Sequence, residues 1–266
     1  MADHDVQRFL AFADTLADAA RGAILPYFRA PHTVEHKGGA RLDPVTEADR
    51  GAEQAMRALI EREFPEHGIL GEEFGTKASR SGYTWALDPV DGTRAFIAGL
   101  PLWGVLIALA YDGKPIVGVM DQPYLDERYS GWSVEGSRGA SLVSRGKTRS
   151  LRTRACAGLG DAILSSTDAM LFQGDEADGF ARVREAARLT RYGYDCYAYA
   201  MVAMGGIDLV IESGLRAWDI QALIPIIEGA GGGVCAWDGG DASGGGRVLA
   251  YGDARVRDEA MALLAG

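Results

Sequence analysis

The order in which helical and strand-like patterns follow one another constrains the fold of this chain more than any other feature. Apolar residues recur at three- and four-residue steps over residues 3 to 29, which predicts a long amphipathic helix. A second helix is predicted from Thr46 to the residue before Pro65. Four short strands are predicted next, at residues 68–70, 84–90, 104–111 and 115–122. The first half is therefore expected to contain two helices followed by strands.

Beyond about residue 150 the pattern changes to an alternation of strands and helices. Helices are predicted near residues 175–188 and from Asp195, Asp219 and Asp253, and Pro225 is expected to bend the third of them. Alternation of this kind predicts a sheet with helices on both faces. We therefore expect an α+β or α/β protein with two halves. These are residues 1–147 and 148–266, and they should pack together because no flexible linker separates them.

Composition excludes several kinds of protein. A formal net charge of -10 argues against a nucleic-acid-binding surface and against binding to an anionic membrane. The chain has no apolar run of 18 residues, and its first residues are not typical of a signal peptide, so a cytoplasmic location is expected. The three cysteines form no CxxC motif and are expected to be buried thiols. The four histidines show no ligand spacing and are predicted to lie in solvated loops.

Acidic residues come directly after two of the predicted strands. Asp88 and Asp91 lie on either side of Pro89, where a sharp turn is one explanation, since Asp, Pro and Gly all favour turns. Glu72 follows the preceding strand and can lie beside Asp88 at the same edge of a sheet. Asp219 begins a predicted helix, where it serves as the N-cap or points inward as a ligand. The sequence therefore indicates that four carboxylates can converge.

Four carboxylates in one place require cations. At a separation of about 5 Å and an effective dielectric near 20, each pair repels by about 3 kcal/mol. Carboxylates are hard oxygen ligands of the kind that suits Mg²⁺, and no His or Cys cluster offers a softer site. Two or three Mg²⁺ ions would offset the four charges and still hold a dianion. This charge balance predicts a phosphate substrate.

Gly92 and Thr93 add a possible phosphate cradle next to the acids. If a helix starts there, the amides of its first turn lack carbonyl partners, and the positive end of the helix dipole faces the same space. Gly92 has no Cβ, so a ligand can approach the backbone closely. The turn and the binding site are then one feature.

Together these segments resemble the inositol monophosphatase superfamily. Its three motifs occur here in order and at the family's spacing, as Glu72 in GEE, the block DPVDGT at 88–93, and Trp218-Asp219. The likeness extends over residues 37 to 233. The resemblance implies a layered α-β-α-β-α fold, a phosphatase with two to three Mg²⁺ ions per site, and a homodimer.

The resemblance also implies roles for individual residues. The implied metal ligands are Glu72, Asp88, the carbonyl oxygen of Val90, Asp91 and Asp219. The phosphate would contact the amides of Gly92 and Thr93. The Thr93 hydroxyl, paired with Asp49, would orient and deprotonate a metal-activated water that attacks the phosphorus directly. For Asp49 a role in helix-start electrostatics is the alternative.

The segment from residue 191 to 232 is most similar to the histidinol-phosphate phosphatases of this superfamily. It has Asp195 where inositol phosphatases carry a small residue. Histidinol phosphate has an ammonium group and an imidazole, with which Asp195 and Glu212 can pair. The alternatives are a helix N-cap for Asp195 and an exposed strand-end acid for Glu212. Nearby tyrosines, including Tyr199, are expected to pack.

The sequence thus predicts a Mg²⁺-dependent phosphomonoesterase that converts L-histidinol phosphate to L-histidinol and phosphate, as in histidine biosynthesis. One alternative is an inositol-1-phosphate or broad sugar-phosphate phosphatase. Another, of a different class, is a binding protein that assists transcription. The intact set of acids argues against a purely non-catalytic role.

Overall fold

The structure, a computed structural model, describes residues 3–30, 34–36 and 44–266, and it describes side chains for residues 5–30 and 47–266. The helices are α1 (Asp3–Ile24), α2 (Glu47–Glu63), α3 (Thr93–Ile97), α4 (Asp175–Ala186), α5 (Asp195–Met204), α6 (Ala217–Ile220), α7 (Leu223–Gly229) and α8 (Ala254–Leu264). The strands are β1 (Val34–His36), β2 (Pro44–Thr46), β3 (Gly68–Gly71), β4 (Gly75–Lys77), β5 (Tyr83–Asp91), β6 (Gly104–Tyr111), β7 (Lys114–Gln122), β8 (Glu127–Val134), β9 (Ser137–Ser144), β10 (Lys147–Ser150), β11 (Ile163–Ser166), β12 (Leu189–Tyr192), β13 (Leu209–Leu215), β14 (Gly233–Ala236) and β15 (Gly246–Tyr251).

Two large sheets form the frame of the molecule, and β1 and β2 make a small antiparallel pair. The first sheet has eight strands in the order β10-β9-β8-β7-β6-β5-β3-β4, and only the β3–β5 pair in it is parallel. The second has five strands in the order β12-β11-β13-β15-β14, with β11 parallel to both of its neighbours. Strands β8, β9 and β10 were not predicted from the sequence.

Helices cover both outer faces and fill the space between the sheets. Met56 of α2 packs with Ile107 of β6 in one buried cluster. Leu106, the next residue along β6 toward the N-terminus, packs in a second cluster with Val202 of α5 and Val248 of β15. This alternation shows that α1 and α2 lie on one face of the first sheet and that α5 to α7 lie between the sheets. A third cluster joins α4 and α8 to the far face of the second sheet. The predicted α-β-α-β-α layering is confirmed.

Two helices differ from prediction, both at prolines. The first helix was expected to reach residue 29, but α1 ends at Ile24 and a 3-10 turn with Pro26 follows. The single bent helix expected from Asp219 is wrong, since the chain forms two short helices there. Pro225 is the third residue of the second one, α7. In a first turn the missing N–H of proline has no intrahelical partner to lose.

His67 contradicts the prediction of a solvated loop. It is 7% exposed, and its Nδ1 accepts a hydrogen bond from Trp85 Nε1 at 3.1 Å. Burial lowers the pKa of His67 to about 4, with Lys77 and Arg8 adding smaller repulsive contributions. The side chains of the other three histidines lie outside the described residues.

Other features bear on the environment of the protein. No helix in the described ranges is both long and apolar enough to cross a bilayer. Cys156, Cys196 and Cys235 are free and buried, as predicted.

The change from the first sheet to the second falls between Ser150 and Ile163. The division into halves at residue 147 stays a prediction.

Candidate metal and substrate site

A break in the register of β5 brings two aspartates to one face of the first sheet. Side chains three residues apart on a regular strand point to opposite faces. Asp88 lies opposite Leu106 and Asp91 opposite Gly104, so three residue steps on β5 match two on β6. This is a β-bulge, and Pro89, which has no N–H to give to the ladder, lies within it. The bulge shifts the alternation by one residue, so both carboxylates face the middle helix layer.

Glu72 reaches Asp88 from the neighbouring parallel strand. Gly71, the last residue of β3, is paired with Leu87, and the Glu72 N–H donates to the Leu87 carbonyl at 3.2 Å. The carboxyl groups of Glu72 and Asp88 are in hydrogen-bonding contact. The predicted convergence of these two acids at one sheet edge is therefore what the structure shows.

Asp219 completes the cluster from the first turn of α6. Its Oδ2 accepts the N–H of Arg216 at 2.7 Å. Arg216 occupies the cap position, so the N-cap alternative for Asp219 is wrong. Carboxylate oxygens of Asp88, Asp91 and Asp219 lie within 4.8 Å of one another.

The acids of this cluster oppose one another's ionisation. Burial raises the pKa of Asp88 well above its usual value, and the charges of Glu72, Asp91 and Asp219 raise it further. Burial also raises the pKa of Asp91. The Cys196 N–H donates to Asp91 Oδ2 at 2.7 Å, which partly offsets this rise. A divalent cation would remove this repulsion. Because the donors are all carboxylate oxygens, the cluster fits a hard cation.

The turn after the bulge has the predicted geometry for a helix start. Gly92 has φ 85° and caps α3, and a Cβ there would lie 2.9 Å from the Leu102 carbonyl oxygen, so only glycine fits. The Thr93 hydroxyl donates to the Val90 carbonyl at 3.0 Å. Asp49 is buried in the first turn of α2. The pairing of Thr93 with Asp49 and the ligand role of Val90 stay predictions.

Asp195 lies in a cavity of about 150 Å³ beside the cluster, which Asp91 and Asp219 also line. It is the first residue of α5, and its φ of 42° is uncommon for a residue other than glycine. Burial raises its pKa to about 6, although Arg94 and Thr167 act in the opposite direction. The N-cap alternative is wrong, because Tyr194 holds that position.

Glu212 lines the same cavity from β13. Its side chain is on the same face as Val210, toward the middle layer, and the residue is 1% exposed. Thr167 N–H donates to Oε1 at 2.7 Å, whereas Oε2 finds no hydrogen-bond partner among the described residues. Burial raises the pKa of Glu212 to about 8. The alternative of an exposed strand-end acid is wrong.

Two buried polar residues near the site were missed from the sequence. Tyr199 was expected only to pack, but it lines the cavity, and its buried hydroxyl has no partner within the described part of the chain. Its spacing of four from Asp195 on one helix was the available signal. Glu53 is fully buried on α2, four residues after Asp49. Lys37, where the resemblance begins, lies outside the described residues.

Comparison with known proteins agrees with this geometry. The sequence pattern of the inositol monophosphatase family matches residues 5–265. The chain is 44% identical over 241 residues to the chloroplastic bifunctional phosphatase IMPL2 of Arabidopsis thaliana, which covers 90% of this chain and 67% of that protein. It is 36% identical over 263 residues to the histidinol-phosphatase of Streptomyces coelicolor, 96% of each chain.

Among solved structures, an inositol monophosphatase from Zymomonas mobilis is similar over 98% of both chains, with a TM-score of 0.85 and 40% identity. The predicted resemblance, including the one to histidinol-phosphatases, is confirmed. The converging carboxylates and the match over nearly the whole length lead to one conclusion. This chain belongs to the inositol monophosphatase family of metal-dependent phosphoric monoester hydrolases.

Proposed function

We propose that this enzyme hydrolyses L-histidinol phosphate to L-histidinol and phosphate. The observation that carries the proposal is the charge of the cavity beside the acidic cluster. Four carboxylates line it, from Asp91, Asp195, Glu212 and Asp219, and the described lining residues include no lysine, arginine or histidine. Asp91 and Asp219 are assigned to metal ions, which leaves Asp195 and Glu212 to favour a leaving group that carries a cation. Histidinol has an ammonium group and an imidazole, whereas a sugar or inositol has neutral hydroxyls.

The phosphate end of the substrate is assigned to the cluster. We propose that two to three Mg²⁺ ions are held by Glu72, Asp88, the Val90 carbonyl, Asp91 and Asp219. Bound ions of this kind neutralise the phosphate and lower the pKa of an attacking water. A carbonyl oxygen has two lone pairs, so Val90 can accept the Thr93 hydroxyl and still act as a ligand.

The protein's own groups would position the reactants. The amides of Gly92 and Thr93, at the start of α3, are proposed to bind the phosphate oxygens. The Thr93 hydroxyl and Asp49 are proposed to orient the attacking water and take its proton. The assignments of Gly92 and Thr93 follow from their position directly after Asp91 and from the family pattern, and that of Asp49 follows from the family pattern.

The alcohol end is assigned to the cavity. We propose that the ammonium and imidazole groups pair with Asp195 and Glu212, and that the Tyr199 hydroxyl supplies a further hydrogen bond. Glu212 has an unpartnered Oε2 and Tyr199 an unpartnered hydroxyl within the described structure. Buried polar atoms without partners are unfavourable, by about 1–3 kcal/mol each. A substrate with matching donors and acceptors would remove that penalty.

Phosphate release from a substrate panel tests the proposal. Histidinol phosphate, inositol-1-phosphate, fructose-1,6-bisphosphate and 3'-phosphoadenosine-5'-phosphate are compared at equal Mg²⁺, with a chelator as the metal-free control. We expect the highest kcat/KM for histidinol phosphate and no release in chelator. A higher kcat/KM for inositol-1-phosphate would overturn the substrate assignment and leave the metal site standing.

Replacing Asp195 separates recognition from folding. In Asp195→Ala the KM for histidinol phosphate should rise by about tenfold or more, the value of one charge-assisted hydrogen bond, while the KM for 4-nitrophenyl phosphate stays near its original value. Asp195→Asn keeps the shape and removes the charge, so it should behave like the alanine variant. Equal losses on both substrates would assign Asp195 to structure.

One observation favours a second substrate class. A pKa of about 8 keeps Glu212 protonated at neutral pH in the free protein, and a neutral carboxyl group can donate to the hydroxyl of a polyol such as inositol-1-phosphate. The two classes differ in pH dependence. The ammonium group of histidinol stays charged over this range and favours ionised Glu212, so the KM of histidinol phosphate, relative to that of 4-nitrophenyl phosphate, should fall as pH rises from 6 to 8. The KM of a polyol phosphate, on the same relative scale, should rise over this range.

The assembly and location of the enzyme are also proposals. We propose a homodimer in the cytoplasm, on the family resemblance and on the sequence composition. Light scattering at several protein concentrations tests the dimer. A transcription-accessory role is the less favoured alternative, since it gives no purpose to the four converging acids. An Asp91→Asn variant that keeps a protein partner would support it.

A further inference from the structure

Helix α2 carries a polar stripe along one face. Asp49, Glu53 and Arg57 follow one another at four-residue spacing and therefore lie on one face. The Glu53 side chain has no exposed surface, and the Arg57 side chain is 14% exposed. Their Nε–Oε1 distance is 2.7 Å. A fully buried carboxylate one turn from Asp49 requires an explanation.

Glu53 binds the backbone of the segment that follows β3. Its Oε2 accepts the Glu73 N–H at 2.7 Å, and its Oε1 accepts the Phe74 N–H at 3.1 Å as well as the Arg57 Nε–H. The Arg57 guanidinium also donates to the Gly75 carbonyl. Residues 73 to 75 are therefore attached to α2 mainly by the Glu53 carboxylate and its guanidinium partner, and Arg50 of α2 adds a longer ion pair with Glu73 at 3.9 Å.

Gly71, the residue before Glu72, also packs against Glu53. A Cβ on Gly71 would lie 1.9 Å from Glu53 Oε1, so the backbone can approach this closely only because residue 71 is glycine. Gly71 and Glu73 are the two neighbours of Glu72. Contact with Glu53 on both sides fixes the point from which the Glu72 side chain extends toward Asp88.

We propose that Glu53, held by Arg57, is a positioning residue that sets the affinity of the site for divalent cations through the placement of Glu72. Both of its oxygens are engaged by protein donors, so it acts on the ion through Glu72. Asp49 lies in the first turn of the same helix, so one rigid element relates the proposed metal ligand Glu72 to the residue proposed to accept a proton. This inference is independent of which phosphate ester is the substrate.

The test compares Glu53→Gln with the unchanged protein in Mg²⁺ binding by calorimetry, without substrate. The amide keeps one acceptor oxygen but turns an NH₂ group toward backbone donors. Loss of such an outer partner weakens metal binding by about 10- to 100-fold. The Mg²⁺ concentration for half-maximal hydrolysis of 4-nitrophenyl phosphate should rise by the same factor, and kcat should recover at saturating Mg²⁺.

Glu61→Gln is the matched control, because Glu61 lies on the same helix and is exposed; its Mg²⁺ affinity should not change. Arg57→Gln provides a second variant if Glu53→Gln does not fold, and we expect a shift of about three- to tenfold because the carboxylate stays in place. A folded variant with lower thermal stability but the original Mg²⁺ affinity would overturn the proposal. Absence of Mg²⁺ binding in the unchanged protein would overturn the metal site as well.

Discussion

Two groups of buried carboxylates lie on opposite faces of the first sheet, and their partners differ. Asp121 of β7 faces α1 and is 0% exposed. It accepts from Arg21 Nε and Nη2 at 2.7 and 2.8 Å and from Arg128 Nε at 2.8 Å. Asp88, on the face toward the middle layer, has Glu72, Asp91 and Asp219 as its charged neighbours. An aspartate carboxylate is thus neutralised by arginines on one face of the sheet and repelled by neighbouring carboxylates on the other.

The difference separates an acid neutralised by the protein's own cations from one proposed to bind a metal ion. Around Asp121 the protein supplies its own cations, so burial of the charge is offset by fixed guanidinium groups. Around Asp88 the protein concentrates negative charge, which is unfavourable until a cation arrives. We therefore expect a substitution that removes the aspartate charge to raise the stability of the metal-free protein in the acidic cluster and to lower it at Asp121.

The largest effect is expected on catalysis, from Asp91→Asn in the acidic cluster. Loss of the charge of this proposed metal ligand should lower kcat/KM for any substrate by about a thousandfold, equivalent to about 4 kcal/mol. In chelator the melting temperature should rise by about 2–4 °C, because like-charge repulsion is relieved. Steady-state kinetics and calorimetric melting measure the two effects. Lower stability without metal would contradict the comparison.

Asp121→Asn should have the opposite effects, with lower stability and unchanged catalysis. Two partly exposed guanidinium groups lose their buried partner, which we expect to lower the free energy of unfolding by about 3 kcal/mol. The kcat/KM per folded molecule should be unchanged, since Asp121 lies on the other side of the sheet. Urea unfolding measures the first effect, and steady-state kinetics at low temperature, where the variant stays folded, measure the second. A stable variant with reduced kcat/KM would break the distinction between the regions.

A smaller effect, dependent on pH, is expected for Glu212→Gln in the metal-free protein. Its pKa is raised from 4.5 to about 8, so the folded state holds a proton that the unfolded state releases. The stability contributed by protonation is present below pH 4.5 and is lost as pH rises through 8. Gln cannot ionise, so the variant should be more stable by about 2 kcal/mol at pH 8 and similar near pH 5. A difference in the free energy of unfolding between the two proteins that is the same at pH 5 and pH 8 would contradict this prediction.

The smallest effect is expected for Tyr199→Phe. Removing a hydroxyl that has no partner in the described structure should leave stability unchanged or slightly raised. The KM for the true substrate should rise by about fivefold, the value of one hydrogen bond between neutral groups. The KM for 4-nitrophenyl phosphate is the control. A variant that loses stability but keeps its KM would show that Tyr199 only packs.

Local patterns in the sequence predicted much of this fold. The helices α4, α5 and α8 begin close to the predicted residues, because acidic residues and glycines mark their ends. The helix end at Ile24 and the break before Pro225 were missed, although proline is a local signal. Strands β8 to β10 were missed as well, since β8 and β9 are only partly buried and β10 is exposed, which gives a weak periodic pattern.

The site was predicted unevenly. The convergence of Glu72, Asp88, Asp91 and Asp219 was predicted because these acids follow strands or lie near the start of a helix, and their role as metal ligands stays a prediction. Glu53 and Tyr199 were missed, and the burial of Glu212 was underestimated. The contacts of Glu53 and Glu212 involve residues far away in the sequence, Glu73 for Glu53, 20 residues on, and Thr167 for Glu212, 45 residues away.

The sequence by itself determined which side chains carry negative charge, where strands give way to turns, and that a glycine at position 92 lets a ligand approach the backbone. The tertiary structure decided which carboxylates share a face and which receive a cationic partner. The bulge in β5 and the parallel pairing with β3 bring Glu72, Asp88 and Asp91 together, and neither is a local property of the chain. Charge belongs to the residue, whereas burial and proximity arise only when distant segments pack.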